Sequence, residues 1–258
     1  DRMKKLFSAL LAGVMGAASW GAHADDYPSK SITWVVPFTA GGVTDTTSRA
    51  ISKRMGELLG QTIVVENRPG VGGSLATEQV SHAAPDGYTI LYATSGTMAA
   101  NLAVYSNIKY VPLKDFTPVH GMFLSPTVLV VDASKPYKTV AELVKYAKDN
   151  PGKLVYGSAG QGTGTHLTAE LFQTQTGTKL LHVPYKGSTP ALQDLLGGRT
   201  DMMFDYTVVL RPHIESGKLR ALAVMGDKRL DALPDVPTIA EAGYPGAQSS
   251  SWSGIVVP

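Results

Sequence analysis

A chain of 258 residues with 43% hydrophobic and 17% charged residues has an ordinary globular composition and is long enough for one large or two medium domains. Its formal charge of only +2, with no basic run after the first few residues, excludes the electrostatic footprint of a nucleic-acid binder. The absence of cysteine excludes disulfides, thiolate metal sites and a cysteine nucleophile.

Arg2, Lys4 and Lys5 precede an apolar stretch from Leu6 to Trp20, and Ala22-His23-Ala24 fits a small-residue cleavage pattern. These features predict a secretory signal peptide over residues 1–24, cut after Ala24. Arg2, Lys4, Lys5 and Asp1 account for the whole net charge, so the remainder is formally neutral. No later stretch is long and apolar enough to span a bilayer. Export without disulfides suits a bacterial periplasm.

Ser31 to Val36 alternates as a strand and runs into Pro37-Phe38-Thr39-Ala40-Gly41-Gly42, after which Thr44 and Asp45 open a helix to Leu59. Ile51, Met55, Leu58 and Leu59 give that helix an apolar face, and Gly60 ends it. The junction has the layout of an anion cradle: unpaired N–H groups at a helix start carry partial positive charge, and glycine lets a ligand come close. A strand over Thr62–Val65, a glycine-rich turn from Arg68 to Gly73, a helix over Ser74–Ala83 and a strand over Thr89–Ala93 follow. The last of these empties into Thr94-Ser95-Gly96-Thr97. This rhythm predicts a parallel sheet with helices on its faces and ligand sites beyond the carboxyl ends of the strands. Phe116 to Val131, interrupted by Pro118 and Pro126, reads as an extended crossing segment.

A second unit repeats the rhythm. Thr139-Val-Ala-Glu142 is a capping box for a helix to Asn150, and Leu154–Tyr156 is a strand. The third and richest small-residue loop, Gly157 to His166, leads into a helix through Leu167, Leu171 and Phe172. Strands over Leu180–Val183 and Asp201–Phe204 flank a short helix over Ala191–Leu196, and a strand over Leu219–Met225 is placed to carry the chain back. Two α/β lobes facing each other across a cleft are expected.

No triphosphate-binding loop and no G-x-S-x-G elbow occurs, and Gly160-x-Gly162-x-Gly164 has the wrong spacing for a dinucleotide fingerprint. His166 and Glu170 share a helix face but have no third metal ligand placed by spacing, so neither a metal nor a cofactor is expected. Three loops rich in Gly, Ser and Thr offer many neutral donors and few charges. That composition suits a carboxylate held reversibly by backbone amides, hydroxyls and water. The competing reading is an exported hydrolase that uses the loops as an oxyanion cradle, with His166 as base near Ser158.

Seven motifs, in order, resemble the Bug-type solute-binding proteins of tripartite tricarboxylate transporters. They are Pro37-Phe38-x-Ala40-Gly41-Gly42-x-x-Asp45-x-x-x-Arg49, Val65-Glu66-Asn67-Arg68-Pro69-Gly70-x-Gly72-Gly73, Pro85-Asp86-Gly87-Tyr88-Thr89, Thr139-Val-Ala-Glu142-Leu143, Val183-Pro184-Tyr185-Lys186-Gly187, Asp194-Leu-Leu-Gly-Gly198 and Leu233-Pro234-Asp235-Val236-Pro237-Thr238. The resemblance covers Asp25 to Pro258. It implies a type II periplasmic binding protein-like fold, with a first lobe over residues 25–124 and 227–258 and a second over 125–226. It further implies a monomeric receptor for an aromatic or other dicarboxylate or related acid, delivered to a two-component membrane permease.

Carried over residue by residue, the ligand contacts are Phe38, Ala40, Gly41 and Gly42, then Thr94, Ser95 and Thr97, then Ser158, Gly162, Thr163, Thr165 and His166, and Asp205. Where the family often has Thr-His-Ala-Ile-Asn-Pro this chain has Thr97-Met98-Ala99-Ala100-Asn101-Leu102, and where it often has Asp-Asn-Leu-Pro this chain has Asp205-Tyr206-Thr207-Val208. Met98 and Tyr206 are therefore expected to make the pocket more apolar. Family members usually continue past the position of Pro258, so the C-terminal helices of the first lobe are expected to be missing.

Overall fold

The computed structural model describes residues 27–258, and the expected signal peptide over residues 1–24 lies outside them. The first unit runs β1 (Ile32–Val36), α1 (Val43–Leu59), β2 (Ile63–Asn67), α2 (Ser74–Ser81) and β3 (Thr89–Thr94). A π-type turn over Gly96–Ala100 continues into α3 (Asn101–Val104), followed by α4 (Pro112–Asp115) and the long strand β4 (Thr117–Pro126). The second unit runs β5 (Val128–Asp132), α5 (Val140–Asp149), β6 (Val155–Ser158), α6 (Gly164–Thr176), β7 (Leu181–Pro184), α7 (Ser188–Leu196), β8 (Met202–Asp205), α8 (Thr207–Glu215) and β9 (Leu219–Val224). β10 (Ser250–Val257) closes the described chain.

The strands form two five-stranded sheets, ordered β2-β1-β3-β10-β4 and β7-β6-β8-β5-β9. The two orders are one topology used twice. In each sheet three strands are parallel, and the fourth, running antiparallel, arrives from the other unit. β4 passes through Thr127 directly into β5, and the chain returns through Met225 to Ser250. The two crossings lie side by side: Met225 N–H donates to Thr127 O at 2.9 Å, and Ser249 N–H donates to Met225 O at 2.7 Å. The expected extended crossing from Phe116 to Val131 is thus β4 and β5.

The central strands β1, β3, β5 and β8 are buried on both faces, which is why they read as unbroken apolar runs rather than alternating ones. Along β5, Leu129 and Val131 enter one cluster with Leu143, Phe172 and Phe204, while Val128 and Val130 enter another with Leu192, Leu195 and Met203. The first sheet is packed the same way, with Trp34 and Val36 on one face and Val35 and Leu91 on the other. Side chains alternate across a strand, so one strand feeds two cores.

Two expectations need correcting. In α1 the face against the sheet is made of Thr44, Ser48 and Ser52 with the partly buried Ile51 and Met55; Leu58 is 69% exposed. Short hydroxyl side chains let the helix lie close to β1 and β2, so the apolar spacing overstates what is buried. The segment from 227 to 249, expected with the first lobe, packs on the second sheet. Leu233 joins the Leu192 cluster, and Ile239 and Ala247 join the Phe172 cluster. The segment is held by the bonds Val224 N–H to Pro237 O and Ile239 N–H to Val224 O, both 2.8 Å.

Because Ile239 is fully buried, Ile239→Ala is expected to destabilise the protein by about 2–5 kcal/mol, through lost burial and a residual cavity. Urea denaturation followed by far-UV circular dichroism measures this. A loss well under 1 kcal/mol would contradict the packing described.

Candidate functional site

The carboxyl ends of β1, β3, β6 and β8 open on one cavity of about 60 Å³ between the two units. From the first unit its wall takes Phe38, Gly42, Val43 and Thr44 after β1, then Tyr92 and Thr94 from β3. From the second unit it takes Thr163, Gly164 and Thr165 after β6, Ser188 after β7 and Tyr206 after β8. The crossing strands add Phe123, Ser125, Ser251, Trp252 and Ser253.

Four helix starts meet this cavity. The N-cap residues of α1, α6, α7 and α8 are Gly42, Thr163, Gly187 and Tyr206, and none supplies a side-chain cap. α5, away from the cleft, has Thr139 Oγ1 accepting Glu142 N–H as the capping box predicts. Uncapped helix starts leave N–H groups and the positive end of the helix dipole free for a ligand. The starts of α1 and α7 adjoin across the cleft, since a Cβ on Gly42 would lie 3.8 Å from Ser188 Cβ.

The loops are held by their own polar groups. Asp45 Oδ2 accepts Gly41 N–H at 2.9 Å and its Oδ1 pairs with Arg49 at 2.9 Å. Asn67, bonded to Arg49, donates to Phe38 O at 3.0 Å. Burial alone would raise the Asp45 carboxyl, but the Arg49, Gly41 and Asn67 hydrogen bonds outweigh it and hold it below the usual carboxylate range. Asp45 therefore shapes the cradle from within α1, while the cap is Gly42. In the second loop Thr94 and Thr97 exchange backbone and hydroxyl bonds at 3.1 Å each way. In the third, Thr165 Oγ1 accepts Ala159 N–H at 2.9 Å and Thr163 Oγ1 donates to Gly160 O at 2.6 Å.

Behind the third loop, Tyr156, His182 and His166 stack with centroid spacings of 4.7 and 4.4 Å. Ser158 Oγ lies 2.7 Å from His182 Nε2, and His166 Nδ1 accepts Gly162 N–H at 3.2 Å. Tyr156 donates to Glu170 at 2.6 Å. Burial lowers both imidazoles, that of His182 to about 4, with the neighbouring His166 adding to the effect. The partnership of His166 with Ser158 that the competing hydrolase reading requires is not found: His182 takes that place, and Ser158 is fully buried away from the cavity.

The units also touch along a seam. Thr189 Oγ1 donates to Ala40 O at 2.8 Å, and Tyr105 OH donates to Gln161 O at 2.9 Å. Glycines allow the approach. A Cβ at Gly96 would stand 3.0 Å from Gly162 O, one at Gly187 would run into Thr39, and one at Gly162 into Asn101.

The comparisons with known proteins agree with this geometry. Residues 47–258 match the family model described as tripartite tricarboxylate transporter family receptor. The chain belongs to that family. A solved structure of R. palustris Rpa4515 with adipate is similar at TM-score 0.88 and 43% identity, covering 90% of this chain and 78% of that one. The periplasmic binding protein BugD is similar at TM-score 0.86 and 40% identity, covering 90% and 77%. MatC from Rhodopseudomonas palustris with bound malate is similar at TM-score 0.86 and 38% identity, covering 90% and 79%. The two-lobe periplasmic binding protein fold expected from the motifs is therefore the fold of this receptor.

Of the residues carried over from the family resemblance, Phe38, Gly42, Thr94, Thr163, Thr165 and Tyr206 line the cavity. Ala40 and Gly41 sit at the seam, against Thr189. Ser95 bonds Ser251 at 2.5 Å, and Thr97 is buried as the fastener of its own loop. Gly162 lies at the seam, and His166 and Ser158 in the ring stack behind it. Met98 does not face the cleft; it packs on the Leu91 cluster, because the π-type turn swings it toward the first core.

Asp205 is buried directly behind the wall. Its Oδ1 accepts Tyr206 N–H at 2.7 Å, and among the described residues only Ser188 comes near enough to act on the rest of the carboxyl. Burial pushes its carboxyl up to about 6, against the pull of Ser188 and the Tyr206 amide. The residues the receptor motifs did not reveal include those of the crossing strands, Phe123, Ser125 and Ser251 to Ser253. No local motif marks them, since only the pairing of β4 with β10 aims them at the cleft.

Two outcomes are expected. Gly187→Ala, blocked by Thr39, holds the lobes apart, giving a larger radius of gyration in small-angle scattering and weaker carboxylate binding; a variant as compact and as avid as the parent would contradict the seam. For Asp205 the native carboxyl titrates near 6 and the unfolded one near 4, so the native state binds more protons between them and this contribution falls as pH rises. Ionised Asp205 costs on the order of 3 kcal/mol above pH 6. Asp205→Asn is therefore expected to melt higher than the parent at pH 7.5, with the gap closing toward pH 4 in calorimetry.

Proposed function

We propose that this protein is an exported, non-catalytic receptor that closes two lobes on an organic carboxylate and delivers it to a two-component membrane permease. The observation that carries this reading is the meeting of four uncapped helix starts on a cavity whose lining, among the described residues, holds no ionised side chain. Partial positive charge without a cation suits reversible capture of one anionic group, and hydroxyls and water complete its coordination. Neighbours described with adipate and with malate support a carboxylate ligand. BugD, described as a periplasmic binding protein, and the leader-like residues 1–24 support a periplasmic site of action. We take the first lobe as residues 27–126 with 250–258 and the second as 127–249, working as a monomer.

The test is a thermal-shift screen of mono-, di- and tricarboxylates, each beside its neutral amide. A ligand at 100 times its Kd adds about 2.7 kcal/mol to stability. For a chain of this size that is a rise of roughly 5–11 °C in Tm. The acids are expected to shift the protein and the amides are not. A screen in which no carboxylate shifts it would refute the receptor reading.

A further inference from the structure

Resting on the receptor reading, we propose that the cleft takes up its carboxylate together with one proton, and that Asp205 holds that proton behind the binding wall. The first observation is where Asp205 stands. It ends β8, immediately before Tyr206, the N-cap of α8, and its carboxyl is acted on by Ser188, the first residue of α7. Both of those neighbours line the cavity. The starts of α7 and α8 therefore have the ligand space on one side and a carboxyl of the protein on the other.

The second observation is the lack of any countercharge. Asp205 is fully buried, and Val128, opposite it in the pairing of β5 with β8, belongs with Met203 to the Leu192 cluster, so an apolar core lies beneath it. β6, which flanks β8 on the other side, runs Val155-Tyr156-Gly157-Ser158 and brings no charge. From α7 and α8 come only Ser188 and Tyr206, and burial keeps the Tyr206 phenol neutral. Among the described residues no Lys, Arg or His lines the cavity or acts on the Asp205 carboxyl.

The third is that two anions share one field. A bound carboxylate draws on the partial positive charge of the α7 and α8 starts, joined by that of α1 where Gly42 stands against Ser188, and an ionised Asp205 draws on the same charge from behind. When two carboxylates share a dry site without a cation, one of them keeps its proton. Asp205 is poised to do so, because burial has lifted its carboxyl to about 6 before a ligand's charge is added. The ligand lifts it further, and by reciprocity the proton strengthens ligand binding by the same factor. Above pH 6 the free receptor has lost a proton that the bound receptor keeps, so affinity falls as pH rises.

Isothermal titration of the full chain with malate, adipate, propionate and benzoate at pH 6, 7 and 8, each in two buffers of different ionisation enthalpy, tests this. At pH 7 each acid that binds is expected to bring about half a proton or more into the complex, and its affinity is expected to fall about tenfold from pH 6 to pH 8. Asp205→Asn, checked for folding by circular dichroism, is expected to lose the buffer-dependent heat and to hold its affinity within about twofold across the same range. Should that variant not fold, infrared difference spectra of the parent at pH 7 decide: a protonated-carboxyl band gained on ligand binding supports the proposal, and its absence overturns it. Binding without proton uptake and with an affinity independent of pH would overturn the proton's part while leaving the receptor reading standing. Proton uptake that persists in folded Asp205→Asn would overturn the assignment to Asp205. No binding of any of the four acids in either buffer would overturn the receptor reading itself.

Discussion

Everything in this structure depends on backbone N–H groups that their own helices cannot satisfy. A helix start exposes such donors wherever it lies, but here four starts are aimed at one enclosed space, and their side chains do not cap them. Each parallel strand ends at the cleft and is followed by a turn into a helix, so repeating the strand-turn-helix unit brings the donors together. The hydroxyls around the cavity serve mainly the loops: Thr97, Thr163 and Thr165 spend their hydrogen bonds holding the backbone in place. The grip on a ligand is thus largely preorganised backbone, and the side chains are free to shape what surrounds it.

The same demand explains the double use of one sheet topology. A single lobe presents its helix starts to solvent, where water competes with a ligand for every donor. Two lobes joined by paired crossings can face each other and exclude that water, and the crossing strands form the back wall of the enclosure. Close approach then becomes the constraint. Glycine stands at Gly96, Gly162 and Gly187 because a Cβ there would meet the opposing lobe. At Gly187 the backbone is extended, so the requirement is one of space and not of conformation.

The second lobe also carries one buried and one half-buried titratable group of opposite consequence. Burial raises Asp205 and lowers His182. As pH falls through the shared interval from about 6 to about 4, Asp205 sheds a penalty while His182 acquires one. The two contributions oppose each other, so the lobe's stability is less dependent on mild acid than either group alone implies. The stack of Tyr156, His182 and His166 behind the third loop is a packing element, with Ser158 drawn inward to complete it.

The sequence by itself determined the strand and helix rhythm, the three small-residue junctions and the two-lobe architecture, because period, capping and glycine placement are local properties of the chain. Phe38 and Tyr206 were legible as pocket residues through the family resemblance, which carries the first-strand loop and the position after Asp205 into the cleft. Tertiary structure alone decided that Met98 turns into the first core, that Ser158 pairs with His182 instead of His166, and that residues 227 to 249 pack on the second sheet. It also decided that Phe123, Ser125, Ser251 and Ser253, paired across β4 and β10, face the cavity. Those outcomes depend on which strand lies beside which and on how two lobes meet, and residues far apart in the chain acquire that relation only when the sheets pair and the cores close.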